Sequence, residues 1–149
     1  MAILAAIDEN ERSKHTISVA YDLATTYDDT LVALHVVPQE DYEEHRDAIR
    51  TIPEFQDFSL DQEIESAAAF AEEFVANTID DLDASRVEPH GRVGEVTDEI
   101  LAAADEIDPR FLVISGRRRS PTGKAIFGNT AQRLLLNANC PVVSKLTEE

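Results

Sequence analysis

Residues 110–130 read RFLVISGRRRSPTGKAIFGNT. Arg110 to Ser115 is a short continuous apolar run, which predicts a strand buried on both faces. Gly116 to Gly128 mixes Gly, Arg, Ser, Pro and Thr, and a helix is predicted from there to about Ala138. A strand that feeds a basic loop and then a helix brings backbone N–H groups and a positive dipole end together, which suits phosphate. Arg117, Arg118, Arg119 and Lys124 add charge. Ser120, Thr122 and Thr130 add hydroxyl donors. The loop is not a Walker A loop. That pattern needs Gly at position 118, where Arg stands, and Ser or Thr at 125, where Ala stands.

The same strand-then-helix reading extends in both directions. Ala2 to Ile7 is an apolar run ended by Asp8. Ile17, Ala20, Tyr21 and Ala24 mark an amphipathic helix between Arg12 and Thr26. Thr30 to Val37 (TLVALHVV) is a second apolar strand, ended by Pro38. Residues 38–58 are polar and carry Pro53, so a flexible loop or lid is expected there. Ser59 and Gln62 form a capping box ahead of a helix carrying Ile64, Ala67, Ala68, Ala71, Phe74 and Val75. A weak strand lies around Arg86 to Val93. Val96, Ile100, Ala103, Ala104 and Ile107 mark another helix. Pro141 to Leu146 is the last strand, with Pro at its start, where a missing N–H is tolerated.

Strict alternation of strand and helix predicts one α/β domain over residues 1–149. Its core is an open five-stranded parallel sheet, Rossmann-like, with helices on both faces and right-handed crossovers. Ligands of such sheets sit beyond the C-terminal strand ends, where strand order reverses. That rule selects Asp8, His35 to Val37, and Ser115 onward. The last strand is expected at a sheet edge, where apolar strands invite pairing.

Composition narrows the function. The 149 residues carry 30 acids against 13 Lys and Arg, for a net charge of −17. Such a balance argues against a general affinity for nucleic acid or anionic membranes. The charge is unevenly spread: residues 1–108 carry net −22, whereas residues 109–147 hold seven Lys and Arg and no acid. The basic segment is either an anion site or a pairing partner for the acidic half. Ten Arg against three Lys, with so much acid, resembles the proteins of salt-in halophiles, so a halophilic source is expected. One cysteine, Cys140, permits neither an internal disulfide nor a Cys-based zinc site, and is expected to be a small buried hydrophobe. No apolar run reaches the length of a membrane span, and the first residues read as a strand rather than a signal peptide. A cytoplasmic domain is expected.

Three tempting constellations carry less. Asp8, His35 and a hydroxyl residue could be drawn as a hydrolase triad, but no G-x-S-x-G elbow accompanies them. His35 reads instead as a packing residue at a strand end. His45 with Asp41, Glu43 and Glu44 could suggest a metal site, but an acidic loop explains them better.

The whole chain resembles the universal stress protein family, whose fold is of the adenine-nucleotide alpha hydrolase type. The apolar first strand ending in Asp8, the strand-2 ending Leu34-His35-Val36 and the closing Cys140-Pro-Val-Val carry the likeness. The family's nucleotide-binding members have G-x-x-G, nine residues, then G-[S/T] after strand 4. This pattern falls on Ser115, Arg118, Gly128 and Asn129, of which Gly128 alone keeps the family residue. The resemblance implies a homodimer, formed through the last strand, that binds ATP or AMP, with Mg²⁺ as an accompanying ion. It implies no defined catalytic reaction. The implied site comprises Ala6, Asp8 and Val36 around adenine and ribose, with Ser115, Arg117, Arg118, Ser120, Gly128, Asn129 and Thr130 at the phosphates. Arg118 either blocks the phosphate site or supplies a bidentate contact in place of the glycine N–H groups. A slow ATPase with Asp8 near Mg²⁺, and a nucleotide-independent member acting through protein contacts, are the rival readings.

Overall fold

The chain is described here by a computed structural model, which covers residues 1–117 and 128–147, Arg117 by its backbone alone. Five strands form one parallel sheet in the order β3-β2-β1-β4-β5. They are β1 (Ala2–Ile7), β2 (Thr30–Pro38), β3 (Val87–Gly94), β4 (Phe111–Arg117) and β5 (Val142–Thr147). The helices are α1 (Arg12–Tyr27), α2 (Gln39–Ile49), α3 (Leu60–Thr78), α4 (Val96–Ile107) and α5 (Asn129–Asn137). β5 lies at a sheet edge, as the sequence predicts.

Both faces of the central strands are buried, which explains their continuous apolar runs. Ile3, Ala5, Ile7, Leu31, Ala33 and Val113 pack with Ile17, Ala20 and Ala24 of α1 and Ala71 and Val75 of α3. Leu4, Val32, Leu34, Val36, Leu112 and Ile114 face the other way, onto Ile100 and Ala103 of α4 and Ala131 and Leu134 of α5. β1, β2 and β4 alternate between the two cores with the period of two expected of a pleated strand. Cys140 packs at the margin of the second core, half-buried, and burial pushes its thiol pKa up.

One expectation is overturned. The stretch 38–58 is not a loop or lid: it holds α2 and a short 3-10 turn, Pro53–Phe55. Asp41, Glu43, Glu44 and His45 therefore sit on a helix, not in an acidic loop. Glu, Gln, Arg and Ala are good helix formers, and Glu40 and Asp41 suit the positive end of the dipole. The helix buries one residue, Tyr42, so it shows no apolar period to read. By contrast α3 starts as predicted: Ser59 Oγ accepts from the Gln62 N–H and the Gln62 side chain accepts from the Ser59 N–H.

Candidate functional site

The sheet parts at the point where strand order reverses. β1 pairs with β4 over three residues, Ile3 to Ala5 against Phe111 to Val113. β1 goes on pairing with β2 as far as Ile7 and His35, and β4 with β5 as far as Arg117 and Thr147. Past Ala5 and Val113 the two halves diverge and leave a cleft of about 680 Å³. That is the size range of small-ligand pockets.

The sequence-predicted residues within the described chain gather at this one cleft. Ala6, Asp8, Val36, Ser115, Gly128, Asn129 and Thr130 all line it. Arg118 and Ser120 lie outside the described residues, as does the side chain of Arg117.

Asp8 follows β1 and organises the turn into α1. Its carboxylate accepts from the Asn10 N–H at 2.8 Å and from the Ser13 hydroxyl at 2.9 Å, while its own N–H donates to Ser13 Oγ. Asp8 is thus a turn-capping residue that also borders the cleft. His35, at the end of β2, is buried. Its Nδ1 lies 3.2 Å from the Ile7 carbonyl oxygen, which can only accept, so Nδ1 carries the proton. The ring lies against Phe70 with centroids 4.4 Å apart. His35 packs as predicted, and its Nδ1 is engaged by backbone, not by Asp8.

On the opposite wall, α5 starts at the cleft. Gly128 precedes it and supplies no side-chain cap, and no acid stands in its first turn. The first-turn N–H groups, the Asn129 amide and the Thr130 hydroxyl make this wall a set of donors. At α4, by comparison, Glu95 accepts from the Asp98 N–H, which holds the Glu95 carboxyl below its usual range.

The sequence reading names Asp41 and His45 but does not bring them to the cleft, and it misses Glu63; the structure sets them at the cleft's far end, between α2 and α3. Asp41, His45, Glu63, Ser66, Ala67 and Phe70 line it. Glu63 is buried and accepts from His45 Nδ1 at 2.8 Å; this bond raises the His45 pKa above 6.5. A signal for Glu63 does exist. It falls on the stripe Glu63, Ala67, Ala71, Val75, all four buried, where a charge is out of place. Among the described residues, no group of three His, Cys, Asp or Glu could hold a metal, and no helix is long and apolar enough to cross a membrane.

The basic half also pairs with the acidic one. Arg110 Nε donates to buried Asp29 at 2.7 Å, and Arg133 reaches Glu95 and Asp98. Arg110 and Arg133 thus act as pairing partners, one of the two expected roles of the basic segment, while Ser115, Gly116, Gly128, Asn129 and Thr130 line the cleft.

Comparison with known proteins fits this geometry. The model of the universal stress protein family matches residues 1–144, and the chain belongs to that family. A universal stress protein of Mycolicibacterium smegmatis is 46% identical over 50 residues, 34% of this chain and 38% of that protein. The match thus spans little more than a third of that relative. The solved universal stress protein of Archaeoglobus fulgidus is 27% identical over 97% of each chain, with a TM-score of 0.65. The structure of the Archaeoglobus fulgidus protein in complex with dAMP is 21% identical, covering 97% of this chain and 96% of that one, TM-score 0.60. An Arabidopsis thaliana family member with AMP bound is 15% identical, covering 98% and 91%, TM-score 0.59.

Proposed function

We propose that this member of the universal stress protein family binds an adenine nucleotide in the β1–β4 cleft and works as a binding and signalling module, not as an enzyme. The observation that carries the reading is the α5 N-terminus, without a side-chain cap among the described residues, beside a cleft at the reversal point of a parallel sheet. Uncapped N–H groups and the positive dipole end favour an anionic group there. Nucleotide complexes of structural relatives support the same assignment. The phosphates face Ser115, Gly128, Asn129 and Thr130; the family resemblance adds Arg117, Arg118 and Ser120, whose side chains lie outside the described residues. Adenine and ribose lie toward Ala6, Asp8 and Val36. ATP and AMP are the candidate ligands. Mg²⁺ ordinarily relies on one or two carboxylates plus substrate phosphates. Asp8 already accepts from Asn10 and Ser13, and among the described residues no group of three His, Cys, Asp or Glu is placed to hold a metal.

The exposed edge of β5 supports assembly through the last strand, giving a homodimer in a cytoplasmic setting. Val142, Val143 and Leu146 stand along that edge, half-buried.

Calorimetric titration with ATP, AMP and adenosine in molar salt tests the binding reading, and light scattering of the same sample reads the dimer. Affinity rises with phosphate count, and that gradient shrinks as salt rises. Arg118→Ala weakens ATP more than about tenfold and adenosine hardly at all, since a charge-assisted phosphate contact is worth roughly 1.5–3 kcal/mol. A gain of ATP affinity in Arg118→Gly makes Arg118 a plug instead. Failure of all three ligands to bind wild type, Arg118→Ala or Arg118→Gly removes the nucleotide and leaves the protein-contact reading. A stable species at the single-chain mass of 16.5 kDa removes the dimer.

A further inference from the structure

The two ends of the cleft have opposite hydrogen-bonding character. The α5 end presents donors, while the α2–α3 end presents acceptors. Glu63 is 6% exposed. One carboxylate oxygen, Oε1, is held by His45 Nδ1 at 2.8 Å. The other, Oε2, has no protein donor among the described residues, and Glu63 lines the cleft. His35 borders the same space, and since Nδ1 donates to the Ile7 carbonyl, the neutral ring keeps Nε2 as an acceptor. Asp41 adds a further carboxylate and Ser66 a hydroxyl. Phe70, in contact with the His35 ring, contributes an aromatic surface beside these acceptors. Oε2 is not among the buried side-chain atoms that lack a partner, so it is open to the cleft, where a ligand N–H can take the place of water.

We infer that Glu63, held in place by His45, reads the base: its free oxygen accepts a hydrogen bond from an exocyclic amine. The cleft then takes 6-aminopurine nucleotides and turns away 6-oxopurine ones. A 6-oxo group is itself an acceptor, and opposite Glu63 it sets two lone pairs against each other. A site built around one polar contact rejects analogues that cannot make it far more strongly than an apolar pocket does. The same acids repel phosphate, so they also fix the ligand's direction, base toward α3 and phosphate toward α5. This inference rests on nucleotide binding at the cleft, and Glu63 acts as a specificity residue within it.

The test is a calorimetric titration of the whole chain with AMP and with IMP, for wild type, Glu63→Gln and His45→Ala. Wild type is expected to prefer AMP by roughly ten- to a hundredfold, the worth of one hydrogen bond to a charged group. Glu63→Gln keeps the shape but offers one acceptor and one donor, so the AMP-to-IMP ratio falls toward one. Most of that change comes from a gain in IMP binding. His45→Ala frees the carboxylate to move and lowers the ratio to a smaller extent. Circular dichroism of each variant reports that the fold is kept. Equal binding of AMP and IMP by wild type overturns the inference without any variant. So does a ratio that Glu63→Gln leaves unchanged, which would give base selection to the backbone at Val36. In both cases nucleotide binding itself stands. Failure of wild type to bind either nucleotide overturns both the inference and the reading beneath it.

Discussion

The two halves of the sheet on either side of the reversal point are built differently. β1, β2 and β3, with α1 to α4, come from the strongly acidic part of the chain, and α3 is pressed hard onto its strands. A Cβ on Gly91 would lie 2.2 Å from the Ile64 carbonyl oxygen and 2.7 Å from the Ala68 nitrogen. β4 and β5 with α5 come from the acid-free part, and a Cβ on Gly128 would meet nothing among the described residues within 4 Å. The acidic half closes its glycine with backbone; the basic half leaves its glycine open toward the cleft. Local packing accounts for glycine at 91. At 128 the backbone is ordinary, with φ −63° and ψ 159°, so neither strain nor crowding by the described residues accounts for it. Under the proposed nucleotide binding, close approach by a ligand would account for it.

The largest way to break this comparison is to remove salt. Residues 1–108 carry net −22, more than the whole chain's −17, and like charges on neighbouring helix faces repel. The Debye length grows from about 10 Å at 0.1 M to about 30 Å at 0.01 M. Melting temperature is expected to rise steeply from low to molar salt, as the acid-rich, Lys-poor composition suggests. A melting temperature flat across that range removes the halophilic reading. It would mean that pairs such as Arg110 with Asp29 and Arg92 with Glu99 and Glu106 already balance the acid.

The two glycines sharpen the comparison at single-residue scale. Gly91→Val forces side-chain atoms into the α3 backbone, which cannot give way as a flexible side chain would. Overpacking costs roughly 1–3 kcal/mol, and backbone contact places this variant at or above the top of that range. Gly128→Ala leaves stability within about 0.5 kcal/mol, as for a surface site. It lowers nucleotide affinity by crowding the phosphate. Urea unfolding and calorimetry on both variants read the two effects separately. Equal stability losses would erase the distinction between a packing glycine and a ligand-facing one.

Much of this architecture is legible in the sequence, because buried parallel strands print themselves as apolar runs. Ala2 to Ile7, Thr30 to Val37 and Arg110 to Ser115 are readable for that reason, and Ser59 with Gln62 marks the start of α3 through local bonding alone. α2 is not legible. Its single buried residue, Tyr42, leaves no period, and its polar surface reads the same in a helix as in a loop. The cleft divides likewise. Asp8, Val36, Ser115, Gly128, Asn129 and Thr130 sit at strand ends or a helix start, positions that chain topology dictates. Glu63 and His45 lie 18 residues apart on helices that topology does not bring together at any stated register. Their meeting depends on how α2 lies over α3, which only the folded chain reveals.

The smallest expected effect concerns that pair and the pH. In the folded chain Glu63, from α3, accepts from His45, and Asp41 and Glu44 on α2 add negative charge nearby; together they raise the His45 pKa above its ordinary 6.5. A group whose pKa is higher folded than unfolded binds its proton more tightly in the native state, so protonation favours folding. The stabilisation is therefore complete below about pH 6.5 and is lost as pH climbs through the raised folded value. The His45 side chain is 55% exposed, and solvent screens the pair. Exposed pairs contribute about 0.2–1 kcal/mol, which sets the ceiling here. The measurement is the melting temperature of wild type minus that of His45→Ala, taken at fixed salt from about pH 5.5 to about pH 8.5. The difference should be largest at the acid end and shrink toward the alkaline end. Glu63→Gln should abolish that slope, because its amide cannot hold the imidazolium as a carboxylate does. A difference that stays constant, or grows as pH rises, would show that His45 sits at the cleft as packing and leaves Glu63 to be held by something else.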